Sequence, residues 1–474
     1  MRKLSHFINH AFTAGTSSDY FELISPVSGE VYALSPEAGQ AEVEAAYDAA
    51  HAAFRIWKKT TPSQRQRALL QLADAIEKNA DKIITVQSQE TGQLRHFIRQ
   101  EEIMASCDTL RFFAGTARCM EGKNSGEYLA NMNSVIRREP LGVVGQVTPW
   151  NYPFMMAVWK IAPALAAGNT VVLKPSDTTP QSTLLLAELA APFFPAGAIN
   201  VLLGKAATGS RVISSPRAAL VSITGSVRAG QQVAASAAEN LTRAHLELGG
   251  KAPVIVFDDT DIPQAVEKIC AAGFFNAGQD CTAATRLIVQ QTIYPCFLEA
   301  MKAEIGKLRY GHPEDTSAFY GALNSCRQRD QVRGFIERLP AHARIETGGK
   351  AGEGPGFYFE PTLISGLCQQ DEVIQQEIFG PVMTIQSFTT VEEATEMAND
   401  VDFGLAASVW TQDLRLAHRI SHVLEFGTVW INNHIPLCAE MPHGGFKKSG
   451  YGKDLSAYSL EEYTRIKHIM TDIS

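Results

Sequence analysis

A cysteine and a glutamate, each in a glycine-containing segment, could together perform covalent chemistry. Cys281 ends the run Phe-Phe-Asn-Ala-Gly-Gln-Asp-Cys, in which a glycine and polar residues keep the thiol from being sealed in an apolar core. Glu247 begins the run Glu-Leu-Gly-Gly-Lys upstream, so the chain offers a nucleophile and a carboxylate base. A free cysteine alone is more often a small buried hydrophobic residue, but the pairing with Glu247 favours a reactive thiol.

The two runs together resemble the signatures of the aldehyde dehydrogenase superfamily, in that family's order and at its usual spacing. The resemblance covers essentially the whole chain. It implies an α/β fold with a Rossmann-type NAD-binding domain of residues 1–120 and 141–247 and an α/β catalytic domain of residues 248–451. It also implies a small β oligomerisation arm of residues 121–140 and 452–474, and therefore a homo-oligomer, either a dimer or a tetramer.

Length and composition argue against several classes of protein. A chain of 474 residues exceeds what one core usually organises, which predicts two or more domains. The net charge of -8 offers no attraction for nucleic acid or anionic lipid, and no uninterrupted apolar segment reaches the roughly 20 residues that span a bilayer. The eight cysteines form no Cys-x-x-Cys pairs, which argues against disulfides and metal sites and favours a reducing cytoplasm.

The chain begins with helical patterns and continues with alternating strands and helices. Residues 42–58 carry apolar side chains at helical spacing, and Ser63 with Gln66 predicts a capping box at the start of a second helix. From residue 134 onward, short β-branched runs alternate with helix-length segments, which predicts mostly parallel, doubly wound sheets in two α/β units. The predicted strands are 143–147, 170–173, 199–203, 220–223, 254–257 and 286–290, and the later helices are 227–238, 262–277 and 293–308.

Gly225 and Ser226 lie between a predicted strand and a predicted helix, where free backbone amides could hold a pyrophosphate. The Gly-x-Gly-x-x-Gly run of many dinucleotide-binding proteins does not occur after the first strand of this unit. An ordinary N-capped turn is the alternative interpretation. Within the family pattern, the two residues correspond to the pyrophosphate turn.

Lys174, Ser176 and Asp177 follow a predicted strand, at the sheet edge where dinucleotides bind. A solvated loop is the alternative. By resemblance, Lys174 and Asp177 face the adenine ribose, and a carboxylate there favours NAD over NADP, although the family more often has Glu than Asp. Lys174 also counts among the implied catalytic residues. The other residues implied in NAD binding are Thr148, Pro149, Trp150, Gly204, Leu248, Gly249, Glu377 on the nicotinamide ribose, and Phe379 near the ring.

A thiolate at Cys281 could add to an aldehyde carbon, and the resulting oxyanion would need hydrogen-bond donors already in place. Asn151 follows the strand predicted at 143–147 and matches the family's oxyanion asparagine, with the backbone N–H of Cys281 as the second donor. After hydride transfer to nicotinamide, water must hydrolyse a thioester, with Glu247 as base. His245, on the same strand face, is the alternative base.

Tyr152 and Trp159 are spaced to project from one helix face, where their rings could attract an ammonium group. A pair of core aromatic residues is the alternative. The segments that contain these two residues, Asp280 and His443 resemble the aminoaldehyde branch of the family. That resemblance is closest to 4-aminobutyraldehyde dehydrogenases, which implies polyamine degradation, and betaine aldehyde dehydrogenases are near relatives.

Three carboxylates could pair with such an ammonium group: Asp280, and Glu102 or Asp108 of a helix predicted at 101–114. The sequence does not decide between them.

Other functions are also compatible with parts of the sequence. A Cys-Glu hydrolase has no use for residues that bind NAD, a CoA-acylating dehydrogenase needs no water-activating base, and a silent binding member of the fold needs neither Cys281 nor Glu247. NAD-linked oxidation of an aldehyde is therefore favoured, with a semialdehyde or aliphatic aldehyde as alternative substrates.

Overall fold

A computed structural model describes residues 2–16, 19–120 and 125–474. The helices are α1 (Gln40–Trp57), α2 (Pro62–Lys78), α3 (Ala80–Thr91), α4 (Arg95–Phe97), α5 (Ala105–Thr116), α6 (Pro153–Ala167), α7 (Gln181–Ala190), α8 (Ala206–Ile213), α9 (Val227–Glu239), α10 (Ile262–Phe274), α11 (Tyr294–Ile305), α12 (Cys326–Glu337), α13 (Glu372–Gln375), α14 (Val391–Asn399), α15 (Leu414–Val423) and α16 (Ser456–Glu462). A π-helical segment spans Ile98–Met104, and 3-10 turns span Ala191–Phe193 and Phe275–Gly278.

The strands are β1 (Arg2–Lys3), β2 (His6–Ile8), β3 (Ala11–Thr13), β4 (Tyr20–Ile24), β5 (Val31–Pro36), β6 (Gly126–Leu129), β7 (Met132–Pro140), β8 (Val143–Val147), β9 (Thr170–Lys174), β10 (Ile199–Val201), β11 (Leu220–Gly225), β12 (Arg243–Leu248), β13 (Ala252–Val256), β14 (Ala284–Gln290), β15 (Arg344–Thr347), β16 (Thr362–Ser365), β17 (Val382–Phe388), β18 (Phe403–Gly404), β19 (Ala406–Trp410), β20 (Thr428–Ile431), β21 (Phe446–Lys447), β22 (Gly450–Tyr451) and β23 (Thr464–Asp472). Two large sheets contain most of them, and a cleft between these sheets holds the residues discussed below.

The first large sheet has the strand order β22-β12-β11-β8-β9-β10-β2-β3. Strands β12, β11, β8, β9 and β10 run parallel. Every residue of β9 is buried because helices α1, α6 and α8 pack against it. The strand order reverses between β8 and β11, so the loops after these two strands meet at the carboxyl edge, where dinucleotides bind in such sheets.

The second large sheet has the order β15-β16-β17-β14-β13-β19-β20, with β15 antiparallel to its neighbour and the other pairs parallel. Strand β12 of the first sheet ends at Leu248, and β13 of the second begins at Ala252. Because the chain passes directly from one to the other, the carboxyl edge of the first sheet faces the amino edge of the second. Cys281 lies just before β14, so it belongs to this shared cleft.

A smaller sheet joins β23, β7 and β6, with β23 antiparallel to β7 from Thr464 against Pro140 to Asp472 against Met132. These strands belong to the two segments predicted to form the arm, of which residues 121–124 lie outside the described residues. Pairing between subunits and the division into domains stay predictions. Within the described parts of the chain, no helix combines the length and apolar character needed to cross a membrane.

The predicted strands are confirmed with small shifts of their ends, whereas two helix predictions are wrong in detail. The capping residue of α2 is Thr61, whose backbone N–H donates to Gln64 Oε1 at 2.8 Å, while the Thr61 hydroxyl accepts from the Gln64 N–H. Ser63 lies inside the helix, because Pro62 takes its first position. The helix predicted at 101–114 is instead the π-helical segment Ile98–Met104 followed by α5.

Candidate active site

The cleft between the two large sheets contains a cavity of about 460 Å³. The predicted site residues that line it are Pro149, Trp150, Asn151, Tyr152, Trp159, Asp177, Gly225, Ser226, Glu247, Leu248, Gly249, Asp280, Cys281, Glu377, Phe379 and His443. Four predicted residues, Thr148, Lys174, Ser176 and Gly204, do not line it. Thr148 nevertheless adjoins the cavity through Pro149, and burial lowers the pKa of Lys174 at the end of β9.

The turn that leads to Cys281 has a strained backbone. Asn276, Ala277 and Gly278 have consecutive positive φ angles of 48°, 58° and 67°. Such left-handed conformations cost a residue with a Cβ atom about 1–2 kcal/mol each, so surrounding contacts must stabilise them. Gly278 is required here because a Cβ atom would lie 2.2 Å from the carbonyl oxygen of Gly380. The turn thereby leads the chain from the buried end of α10 to Cys281 at the cavity.

Asn151 lies beside this turn, and its Nδ2 donates to the carbonyl oxygen of Gln279 at 3.1 Å. The carbonyl oxygen of Asn151 accepts from Gln93 Nε2 at 2.8 Å and from Asn276 Nδ2 at 2.9 Å. All four residues are buried. Sequence patterns do not indicate Gln93 or Asn276, because their contribution depends on contacts with residues far away in the chain. This network fixes the amide that was predicted to bind an oxyanion.

The Cys281 thiol is protonated more strongly than an ordinary thiol. Burial raises its pKa well above the usual 9.0, and the carboxylates of Asp280, Glu247 and Glu377 raise it further. The backbone N–H of Cys281 acts in the opposite direction and lowers the pKa. A thiolate at this position therefore requires an additional positive charge or a base.

Glu247 is a buried carboxylate on β12, with 3% of its surface exposed. Burial raises its pKa well above 4.5, and the carboxylate of Asp454 raises it further. Its Oε1 has no hydrogen-bond partner among the described residues, and Oε2 lies 3.6 Å from His443 Nε2, which is longer than a hydrogen bond. A desolvated and partly unsatisfied carboxylate is a better general base than one in water.

His245, the alternative base, does not line the cavity. Its Nδ1 lies 2.8 Å from Glu462 Oε2, and its Nε2 lies 3.3 Å from Asp454 Oδ1. Burial and the Lys160 ammonium group would lower the pKa of His245, but the two carboxylates raise it overall. Asp454 also pairs with Lys160 Nζ at 2.7 Å. His245 therefore belongs to a buried ion cluster, and Glu247 is the better-placed base.

Asp280 and Tyr152 meet beside Cys281. The Tyr152 hydroxyl donates to Asp280 Oδ2 at 2.6 Å, and Asp280 Oδ1 accepts from the Thr282 N–H at 2.6 Å and from its hydroxyl at 2.7 Å. The Trp159 ring packs edge-on against His443, with centroids 5.4 Å apart. The four predicted substrate residues thus lie in one cavity. Tyr152 and Trp159 are also buried core residues, as the alternative interpretation of their spacing expected, and their binding of an ammonium group stays a prediction.

Two of the three candidate partners for an ammonium group lie outside the cavity. Glu102 is buried in the π-helical segment, where its Oε2 accepts from the Met155 N–H at 3.3 Å. Asp108 is exposed on α5. Neither lines the cavity, whereas Asp280 does, so Asp280 is the best placed of the three candidates. The lining carboxylates are Asp177, Glu247, Asp280, Glu377 and Asp454, and the lining residues include one guanidinium group, that of Arg327.

The opposite side of the cavity suits an elongated ligand with phosphate groups. Ser226 N-caps α9 and accepts from the Ala229 N–H at 3.3 Å, and the start of this 13-residue helix opens on the cavity. The buried hydroxyls of Thr148 and Thr224 lack partners among the described residues, which is unfavourable unless a ligand or water supplies them. Residues of this side therefore fit a dinucleotide.

Glu377 contacts the backbone of the Glu-Leu-Gly-Gly-Lys run that begins with Glu247. Its Oε1 accepts from the Gly250 N–H at 2.9 Å, and burial raises its pKa to about 7. At Gly249, a Cβ atom would lie 2.2 Å from Glu377 Oε2. Gly249 thus allows Glu377 to approach the backbone, whereas Gly250 allows the close approach of Cys281, whose carbonyl oxygen would lie 2.1 Å from a Cβ atom there.

A separate group of potential metal ligands lies away from the cavity. The side-chain ligand atoms of His342, Cys368 and Asp371 lie within 4.8 Å of one another. Spacing along the sequence does not indicate this group, because His342 lies in one loop and Cys368 and Asp371 lie in another. None of the three lines the cavity, so the group is separate from the residues described above.

Comparisons with known proteins agree with this geometry. A model of the aldehyde dehydrogenase family matches residues 12–469 of the chain. An aldehyde dehydrogenase of Emericella nidulans is 39% identical over 471 residues, which cover 98% of this chain and 94% of that protein. Betaine aldehyde dehydrogenase of Bacillus subtilis is 37% identical over 476 residues, which cover 98% of this chain and 96% of that protein.

A solved structure is also very similar. Betaine aldehyde dehydrogenase from Staphylococcus aureus, in complex with NAD+, has a TM-score of 0.96 and 35% sequence identity to this chain. The match covers 99% of this chain and 95% of that one. The α/β fold predicted from the sequence is therefore confirmed.

Proposed function

Because the chain belongs to the aldehyde dehydrogenase family, we propose that it oxidises an ω-aminoaldehyde such as 4-aminobutyraldehyde to the carboxylic acid, with NAD as hydride acceptor. The observation that carries this proposal is the meeting of Cys281, Glu247 and Asn151 in one cavity. A silent binding member of the fold would have no use for that combination.

Cys281 is the nucleophile that adds to the aldehyde carbon and forms a thiohemiacetal. Asn151 Nδ2 carries two hydrogens and uses one on Gln279, so the second is available to the oxyanion together with the Cys281 N–H. When bound, NAD supplies a cationic ring that favours the thiolate and accepts the hydride. The strained turn and the network around Asn151 keep the donors and the thiol in a fixed relation.

Glu247 acts after hydride transfer, when a thioester remains on Cys281. Its raised pKa makes it a stronger base, and its unpartnered Oε1 can accept a hydrogen bond from the attacking water. The proton of that water passes to the carboxylate while the hydroxide adds to the thioester carbon. Collapse of this adduct releases the carboxylic acid and restores the Cys281 thiolate.

The NAD site uses the other side of the cavity. Gly225 and Ser226 at the start of α9 bind the pyrophosphate, while Asp177 and Lys174 bind the adenine ribose and favour NAD over NADP. Glu377 binds the nicotinamide ribose. The remaining contacts come from Thr148, Pro149, Trp150, Ser176, Gly204, Leu248, Gly249 and Phe379.

The ammonium end of the substrate lies near Asp280, Tyr152 and Trp159, next to His443. Asp280 lines the cavity beside the Tyr152 ring, and a carboxylate at this position favours a cationic substrate. The Asp280 carboxylate can form a charge-assisted hydrogen bond with an ammonium group, and the aromatic rings can add cation–π attraction. These features support an aminoaldehyde over an uncharged aldehyde.

Betaine aldehyde is the second candidate substrate, because two of the similar proteins are betaine aldehyde dehydrogenases. Its trimethylammonium group carries the same charge but cannot donate a hydrogen bond to Asp280. Asp280 accepts three hydrogen bonds from Tyr152 and Thr282, and a carboxylate has about four acceptor positions, so one position is left for a substrate N–H group. Replacement of Asp280 by Asn would weaken binding of 4-aminobutyraldehyde more than that of betaine aldehyde.

The assembly and cellular context are further parts of the proposal. We assign residues 1–120 and 141–247 to the NAD-binding domain, residues 248–451 to the catalytic domain, and β7 with β23 to the arm of a homotetramer. Ile466, Ile469 and Met470 of β23 are exposed, which suits an interface.

The enzyme acts in the cytoplasm in polyamine degradation, where amine oxidation supplies ω-aminoaldehydes.

A panel of aldehydes tests the function directly. NADH formation would be followed by absorbance with 4-aminobutyraldehyde, betaine aldehyde, butyraldehyde and succinate semialdehyde. We expect the highest kcat/KM for 4-aminobutyraldehyde. A clear preference for betaine aldehyde would support the second candidate, while a preference for either of the other two would contradict a cationic substrate.

A further inference from the structure

His434 is a buried histidine for which the mechanism above gives no function. It lies in the loop after β20, where its Nε2 is 2.7 Å from the carbonyl oxygen of Thr282 and its Nδ1 is 2.8 Å from Ser408 Oγ. Thr282 directly follows Cys281. His434 therefore connects strand β19, which carries Ser408, to the turn that bears the nucleophile.

The partners of His434 determine where its proton lies. The Thr282 carbonyl can only accept, so Nε2 must carry the hydrogen. The indole N–H of Trp410 donates to Ser408 Oγ at 3.1 Å, which leaves the Ser408 hydroxyl hydrogen free to donate to Nδ1. Burial lowers the pKa of His434 to about 4, although the facing Asp280 carboxylate acts to raise it. With a neutral ring, Trp410 donates to Ser408, Ser408 donates to His434, and His434 donates to Thr282.

The loop that carries His434 is strained on both sides of this residue. Asn432 has a φ angle of 54°, and Ile435 has a φ angle of 83°, which is rare for a β-branched residue. The Asn432 side chain accepts from the Thr411 N–H at 3.0 Å and donates to the Thr411 carbonyl at 2.9 Å. Strain of this kind persists where surrounding contacts over-determine the conformation, and it often accompanies a functional constraint.

The nucleophile turn is thus fixed from both large sheets. Asn151, after β8 of the first sheet, donates to the Gln279 carbonyl on one side of Cys281. His434, after β20 of the second sheet, donates to the Thr282 carbonyl on the other side. We propose that His434 is a positioning residue that fixes the Cys281 thiol relative to Asn151. The inference rests on the proposed function, in which the thiol and the amide act on the same carbonyl group.

The test compares His434→Phe, His434→Gln and Ser408→Ala with the parent enzyme. His434→Phe keeps an aromatic ring but removes the donor to Thr282, and we expect kcat to fall by about 10- to 100-fold, as misplaced reacting groups do. His434→Gln retains an N–H donor and should recover most of the loss. Binding of NAD, measured by quenching of tryptophan fluorescence, should stay unchanged in all variants.

A second readout does not depend on the aldehyde reaction. Alkylation of Cys281 by iodoacetamide, followed by mass spectrometry of its peptide at fixed pH, reports how accessible and nucleophilic the thiol is. We expect His434→Phe to change this rate several-fold, with a smaller change in Ser408→Ala. If the parent forms no NADH with any aldehyde, the proposed function is wrong, but the alkylation comparison still tests the role of His434.

Tyr320→Phe is the matched control, since the Tyr320 hydroxyl is another buried donor to a backbone carbonyl, that of Phe359, at 2.8 Å. It should lower the melting temperature while kcat and Cys281 alkylation stay unchanged. An equal loss of kcat in Tyr320→Phe and His434→Phe would overturn the inference, as would parental values of both readouts in His434→Phe. Should His434→Phe fail to fold, an unchanged alkylation rate in Ser408→Ala would overturn it instead.

Discussion

The turn around Cys281 and the dinucleotide side of the cavity differ in how far the protein satisfies their polar groups. On the nucleophile side, Asp280 accepts three hydrogen bonds and the Asn151 amide and carbonyl are bonded to Gln279, Gln93 and Asn276. On the dinucleotide side, the hydroxyls of Thr148 and Thr224 are buried without partners among the described residues. The turn around Cys281 is therefore held by the protein's own hydrogen bonds, whereas two hydroxyls on the dinucleotide side still need a ligand or water.

Glu247 is one of several residues near Cys281 that have a buried polar atom without a partner. Its Oε1 lacks a hydrogen-bond partner among the described residues, and so do His443 Nδ1, Trp159 Nε1 and Asp454 Oδ1. A catalytic base needs a free position for water, so this deficiency fits its proposed task. The comparison predicts that changes on the nucleophile side lower kcat, whereas changes on the dinucleotide side alter cofactor binding and choice.

Replacement of Cys281 by Ala should have the largest effect. Without the nucleophile no thiohemiacetal forms, so NADH formation should fall to roughly one thousandth of the parent rate or less, while NAD still binds. Steady-state absorbance and NAD titration measure the two quantities. Cys368→Ala, which removes an exposed thiol outside the cavity, is the control. Near-normal turnover in Cys281→Ala would show that another group is the nucleophile.

Replacement of Glu247 by Gln should lower steady-state kcat by about 100-fold, the usual contribution of a general base. The parent should also lose activity as the pH falls, because the base works in its deprotonated form. Since its pKa is raised above 4.5, this loss should begin at a higher pH than for an ordinary glutamate, and the variant should lack this titration. An unchanged pH profile in Glu247→Gln would assign the titration to a different residue.

Replacement of Asp177 by Ala should affect the dinucleotide side with a moderate change in selectivity. If the carboxylate binds the ribose hydroxyls and repels a 2′-phosphate, the preference for NAD over NADP should narrow by about tenfold, the value of one or two hydrogen bonds. The ratio of kcat/KM for the two cofactors measures this. Equal use of both cofactors by the parent would mean that Asp177 does not face the 2′ position.

Replacement of Trp159 by Ala should have the smallest effect, confined to cationic substrates. Loss of cation–π attraction should raise KM for 4-aminobutyraldehyde relative to butyraldehyde by about fivefold, or roughly 1 kcal/mol, with little change in kcat. Trp159→Phe retains a ring and should lie between the parent and the Ala variant. A KM that rises equally for both aldehydes would indicate a packing effect without recognition of charge.

The sequence was sufficient for features that depend on local pattern. Strands such as β8 and β9 are almost entirely buried and rich in β-branched residues, so their positions could be predicted. The motifs around Cys281 and Glu247 likewise predicted a nucleophile and a base, and both residues line the same cavity. The capping residue of α2 was predicted wrongly because two pairs, Ser63 with Gln66 and Thr61 with Gln64, have the spacing of a capping box. Only Thr61 directly precedes the proline that takes the first position of the helix.

Features that depend on contacts between distant residues could not be predicted. His434 and Thr282 are 152 residues apart, and Gln93 and Asn151 are 58 residues apart, so no local pattern connects them. The position of Asp108 on the exposed face of α5, and of Glu102 in a π-helical segment, depends on how α2, α5 and α6 pack. These tertiary contacts decide which of several carboxylates reaches the cavity.

The proposal that Cys281 acts before hydride transfer and Glu247 after it is tested most directly by a pre-steady-state measurement of NADH. Rapid mixing of Glu247→Gln with NAD and 4-aminobutyraldehyde should give a burst of about one NADH per active site, followed by slow turnover, because hydride transfer precedes the step that needs the base. Cys281→Ala should give no burst. A Glu247→Gln variant that binds NAD but shows no burst, with hydride transfer itself slowed, would contradict the account.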